Sequence, residues 1–101
     1  MNNTKWRKLQ MAMYNLESNR PKWRTRCTTN GYISNWDGEW YYHFSEGGFV
    51  DIEWVELKIE NETQRKSVFE LLQSIHLPGE ETDKGFKIYG YINVGTSIDY
   101  L

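Results

Sequence analysis

Only one cysteine and two prolines occur among the 101 residues. Cys27 alone cannot form an internal disulfide, and the opening Met1-Asn2-Asn3-Thr4-Lys5 lacks the apolar run of a signal peptide. Both absences point to a reducing cytoplasm as the expected location. No apolar stretch approaches the roughly 20 residues needed to cross a bilayer. A basic surplus is missing as well: the net charge is −2 and the pI about 5.7. That argues against nucleic acid as a partner, because backbone binding ordinarily leaves an excess of Lys and Arg. There is no phosphate-cradling glycine loop, no Cys-x-x-Cys pair and no nucleophile elbow, so no cofactor is implied.

What the chain has in quantity is aromatic surface. Five Trp, seven Tyr and four Phe make up 16% of the residues, against a mean hydropathy of −0.77. Each ring buries far more area than an aliphatic side chain, so few positions suffice for one core. The length allows a single domain over residues 1–101.

Trp6, Leu9, Met13 and Leu16 recur at three- and four-residue steps, which predicts a helix over Thr4 to Ser18, capped by Asn3 or Thr4 and stopped by Pro21. Lys22 to Thr28 alternates, with Trp23, Thr25 and Cys27 on one side and Lys22, Arg24 and Arg26 on the other. Tyr32-Ile33-Ser34 is a short strand candidate between the turn signals Asn30-Gly31 and Asp37-Gly38. Glu39 to Phe44 reads as a strand with Trp40, Tyr42 and Phe44 inward. Phe49 to Ile59 reads as its partner with Val50, Ile52 and Trp54 inward, and the slip to Leu57 and Ile59 calls for a bulge near Val55. Asn61-Glu62-Thr63-Gln64 resembles a capping box before the helical stripe Val68, Leu71, Leu72 and Ile75, which Pro78 ends. Gly79 to Gly85 reads as an acidic loop, Phe86 to Ile92 as a last strand, and Gly95 as the start of a tail. The resulting expectation is an α+β two-layer domain: an antiparallel sheet of four or five strands with two helices on one face, in the order α-β-β-β(-β)-α-β.

In this register, one sheet face gathers Arg24, Arg26, Glu39, Tyr41, His43, Asp51 and Glu53. Trp36, beside a turn, is the tryptophan expected at the surface, whereas Trp40 and Trp54 belong to the core. Trp36, Tyr41, His43, Asp51 and Glu53 are therefore the candidate binding surface. A metal site from His43, Asp51 and Glu53 is a weaker reading, since one histidine with flexible carboxylates is a poor ligand set. No catalytic set stands out. The leading expectation is a non-enzymatic protein-binding module, of the immunity or accessory type, with a protein partner. Two alternatives come from other classes. Asp37 with Glu56-Leu57-Lys58 has the acid, acid-x-Lys pattern of Mg²⁺-dependent nucleases. A helix–three strands–helix order resembles a double-stranded RNA-binding domain, with Arg65 and Lys66 as a phosphate clamp. His76 is expected to cap a helix end, and Cys27 to be a small core residue.

Several phrases resemble a family of small bacterial proteins known as a domain of unknown function. They are Asn3-Thr4-Lys5-Trp6, Trp23-Arg24, Trp36-Asp37-Gly38-Glu39-Trp40, Ile52-Glu53-Trp54, and His76-Leu77-Pro78-Gly79-Glu80-Glu81 leading to Tyr89-Gly90-Tyr91. The resemblance spans nearly the whole chain. It implies a bacterial origin and no established activity, and so assigns no site residues.

Overall fold

A computed structural model describes residues 1–91 and 99–101. The expected strand continuing to Ile92 and the tail from Gly95 fall partly or wholly outside those residues.

Helix α1 runs Asn3–Tyr14. Its cap is Asn2, one residue before the expected pair, whose side chain accepts the Lys5 N–H at 2.9 Å. The helix stops four residues short of Ser18, and a single 3₁₀ turn, Glu17–Asn19, carries the chain to the buried Pro21. Strand β1 (Lys22–Cys27) follows, and then β2 (Ile52–Lys58). Helix α2 (Glu62–Ile75) is capped by Asn61, which accepts the Gln64 N–H, while Gln64 reaches back to the Glu60 N–H. The reciprocity of a capping box is present, displaced by one residue. His76 ends the helix in the left-handed conformation (φ 62°), its ring stacked on Tyr100 at 4.6 Å. Strands β3 (Gly79–Glu81) and β4 (Gly85–Tyr89) complete the fold.

All pairings are antiparallel, in the order β1-β2-β4-β3. The α+β class, the four-stranded antiparallel sheet and the two helices packed on one face agree with the sequence. The element order is α-β-β-α-β-β, with β3 lying where an acidic loop was expected. Period-two geometry sends Trp23, Val55, Leu57, Phe86 and Ile88 to the helical side. There they join Trp6, Leu9 and Met13 of α1 and Val68 and Leu72 of α2 in one core.

Three sequence expectations need correction. First, Glu39 to Phe44 is not a strand. Between Gly38 and Asp51 the chain forms turns that lie over one end of the core, with Trp40, Phe44 and Phe49 buried but Tyr42 and Val50 exposed. The reason is local: the Glu39 carboxylate accepts three successive backbone N–H groups, those of Tyr41, Tyr42 and His43, which a sheet ladder would need. Second, Tyr32 to Ser34 contributes only an isolated bridge, Arg26 to Ile33. Third, Trp54 faces away from the helices. Arg26 is opposite Trp54 and Cys27 opposite Ile52, so Glu53 is the extra residue of a bulge. The bulge sits just before Val55, and it puts Ile52 and Val55 inward and Trp54 outward.

Candidate functional site

Gln10 lies on the buried stripe of α1 beside Leu9 and Met13. A buried amide needs partners. It finds them in the loop, donating to the carbonyls of Trp40 at 3.0 Å and Tyr41 at 2.8 Å. Trp40 itself is fully buried against Trp23 and Phe44, and its indole N–H donates to the Pro21 carbonyl at 2.8 Å. The loop is thus fastened to the helix from below.

Two carboxylates fasten it from outside. Asp37 uses one oxygen to accept the Glu39 N–H at 2.7 Å and the other to meet His43 Nδ1 at 2.8 Å. Burial alone would push the Glu39 carboxyl up, but its three backbone donors together hold it below the ordinary range. His43 is pushed above its ordinary value, first by the hydrogen bond to Asp37 and then by the charges of Asp37, Glu39 and Glu46. Ser45 adds a hydroxyl donated to the Tyr41 carbonyl at 2.9 Å.

The product is an aromatic cluster at the surface. Tyr14 and Tyr41 rings lie 5.5 Å apart, Tyr41 and Tyr42 rings 4.9 Å apart, and the Arg20 guanidinium covers Tyr14 at 4.2 Å. Tyr41 also lines a depression of about 220 Å³ with Arg7, Gln10, Met11 and Ser45.

The five residues singled out by sequence occupy different parts of the molecule. Tyr41 and His43 are on the loop just described. His43 also shares a cavity of about 200 Å³ with Asp51. Glu53 is on the bulge, 3.3 Å from Arg26, and lines a third cavity of about 350 Å³ with Trp54, Tyr89 and Tyr91. Trp36 is half-buried over the opposite sheet face, under the Arg24 guanidinium at 4.5 Å. The residues that sequence reasoning passed over are Gln10, Met11 and Tyr14. Gln10 carried a signal, a polar side chain on an apolar helical stripe.

Asp37 and Glu56 do not converge. Asp37 pairs with Trp23 through two backbone hydrogen bonds of 2.8 Å and so shares its helical side, whereas Glu56 pairs with Arg24 on the other face. The Glu56 carboxylate is already held by Arg24 at 2.8 Å. The bridging geometry that a Mg²⁺ nuclease requires is therefore not met. Among the described residues no group of three His, Cys, Asp or Glu is placed to hold a metal ion. At the start of α2, Arg65 pairs with Glu62 and Glu81 and lies over Phe86. Only two strands separate the helices, so the order expected of a double-stranded RNA-binding domain is absent. No helix of the described residues is long and apolar enough to cross a membrane.

Fold and loop together define a small α+β domain whose distinctive device is a braced tyrosine-bearing turn segment. The model of a family of unknown function, DUF6678, matches residues 1–95, and the chain belongs to that family. No curated protein and no solved structure matches it.

Proposed function

We propose that this domain is a protein-binding module that docks its partner through the tyrosine loop. The observation that carries this reading is exposure combined with fixation. Tyr41 and Tyr42 are 45% and 73% exposed. Their backbone is held by the Glu39 carboxylate, the Gln10 amide and the Ser45 hydroxyl. Rings carried on a pre-formed backbone lose little conformational freedom on docking, so more of the contact energy appears as affinity. Tyr, Arg and Met are also the residue types enriched at interface centres, and Arg7, Met11 and Arg20 flank the rings.

The loop's ionisable groups have structural tasks. Asp37 and Glu39 spend their oxygens on backbone and on His43, which supports a binding reading over a catalytic one. A photo-crosslinking residue in place of Tyr42, and another in place of Lys66 on α2, test the proposal in the native cell. A discrete adduct at position 42 and none at 66 is expected. The purified partner should then bind the Tyr41→Ala/Tyr42→Ala protein at least about 30-fold more weakly, as two central aromatic anchors would imply. No adduct at position 42, or unchanged affinity in a folded double variant, overturns the reading.

A further inference from the structure

The outward sheet face is built in three rows, about 6.7 Å apart along the strands. The first row is Lys22, Lys58 and Gly85. The second is Arg24, Glu56, Lys87 and Glu80. The third is Arg26, Trp54 and Tyr89. The rows hold five cations and two carboxylates, and the bulge adds a third carboxylate, Glu53, against Arg26, in a chain whose net charge is −2. Charge is segregated, and the overall value says nothing about this face.

The first row is the informative one. Lys22 and Lys58 are directly opposite each other, and like charges so placed are destabilising. A third ammonium, that of Lys84 in the β3–β4 turn beside Asp83, joins them: the Lys58 and Lys84 nitrogens lie 5.7 and 5.8 Å from the centre of the Trp36 ring. Among the described residues, Lys22, Lys58, Lys84 and Lys87 have no carboxylate oxygen within 4.0 Å. The fold tolerates this crowding with an indole face rather than with acids. At the other end of the same face, Trp54, Tyr89 and Tyr91 line the cavity of about 350 Å³ together with Thr28 and Glu53, whose carboxylate is paired with Arg26 at 3.3 Å, and Lys87 lies over Trp54 at 4.3 Å.

We infer that this face binds single-stranded nucleic acid, with phosphates on the Lys22, Lys58 and Lys84 cluster and a base in the cleft of Trp54, Tyr89 and Tyr91. Unneutralised lysines call for a polyanion, and an aromatic cleft next to them favours one that carries planar rings. An acidic polypeptide satisfies the first feature but not the second. The face is distinct from the tyrosine loop, which lies on the helical side, so either proposal can fail alone.

Anisotropy of a fluorescein-labelled 15-nucleotide oligo-U and oligo-dT, titrated with the full chain, tests the inference. Binding is expected at about 50 mM salt, weakening with a log–log slope near −2 to −3 if three or four phosphates are contacted. Lys58→Glu/Lys84→Glu should weaken it at least tenfold, and so should the milder Lys58→Gln/Lys84→Gln. Lys8→Glu/Lys66→Glu, which changes net charge as much as the first pair but on the helices, should change it less than threefold. Trp54→Ala should weaken the oligonucleotide at least fivefold. No binding at low salt, equal losses for the sheet and helix pairs, no effect of Trp54→Ala, or polyglutamate of matched charge binding as tightly overturns the inference.

Discussion

The side-chain amide of Gln10 donates to the Trp40 and Tyr41 carbonyls at 3.0 and 2.8 Å, joining α1 to a loop thirty residues on. Gln10→Met keeps the volume and removes the donor. The Trp40 carbonyl is then buried without that partner, at a cost of about 1–3 kcal/mol. A urea midpoint that falls with an unchanged m value is the expected result, together with faster amide exchange at Tyr41 and Tyr42. An unchanged midpoint would show that the loop is held elsewhere.

Glu39 and His43 give the loop a working pH range. The Glu39 carboxyl is held below its ordinary 4.5 in the folded protein, so its contribution is complete above pH 4.5 and fades as pH falls through the folded value. The His43 value is raised above 6.5, so its contribution is complete below pH 6.5 and fades as pH rises through the folded value. Exchange protection at residues 41–43 should therefore be greatest between about pH 4.5 and 6.5. Asp37→Asn should return the His43 titration, followed by NMR, toward its ordinary value. A His43 midpoint indifferent to that substitution would remove the coupling.

Trp40 and Trp54 sit on opposite faces, and their truncations should differ accordingly. Trp40→Ala removes a fully buried indole and should lower stability by about 3–5 kcal/mol. Trp54→Ala opens a half-buried outer position and should lower it by less than half as much. Equal losses in chemical denaturation would contradict the outward placement of Trp54.

At Gly85 the backbone of β4 runs too close to β2 to admit a side chain. A Cβ there would lie 2.2 Å from the Leu57 carbonyl oxygen and 2.8 Å from Ile59 Cγ1. Gly85→Ala should cost about 1–3 kcal/mol through forced separation of the strands, whereas Gly38→Ala, with open space around it, should change stability far less. Thermal or urea unfolding of the pair decides the point.

Much of the architecture was legible. Both helices, the alternating β1, the apolar half of β2 and the start of β4 have periodicities that packing preserves. The β2 bulge could be inferred from the slip at Leu57, although its position at Glu53 depends on pairing with Cys27 and Arg26. The segment from Glu39 to Phe44 reads as a strand because Trp40, Tyr42 and Phe44 alternate as one would. Its competitor, a carboxylate gathering three N–H groups, has no period to detect. The candidate surface was partly legible for the same reason. Tyr41 and His43 stand out in the sequence, but Tyr14 and Met11 come to the loop only through the packing of α1 on the core and the Gln10 hydrogen bonds beside it. Trp36, expected at the surface, lies half-buried over the cationic face rather than beside Tyr41.

Strands β1 and β2 are neighbours in the sheet, yet residues 28–51 intervene between Cys27 and Ile52. A tight hairpin would zip early; this connection must instead be closed at an entropic loss that grows with its length. The intervening chain also takes the Gln10 amide of α1 as a partner, which ties its order to the docking of that helix. The β2–β4 pairing is likewise closed across residues 59–84, so two of the three pairings of this sheet are non-local, and folding slower than that of a hairpin-built sheet of similar size is the expected outcome.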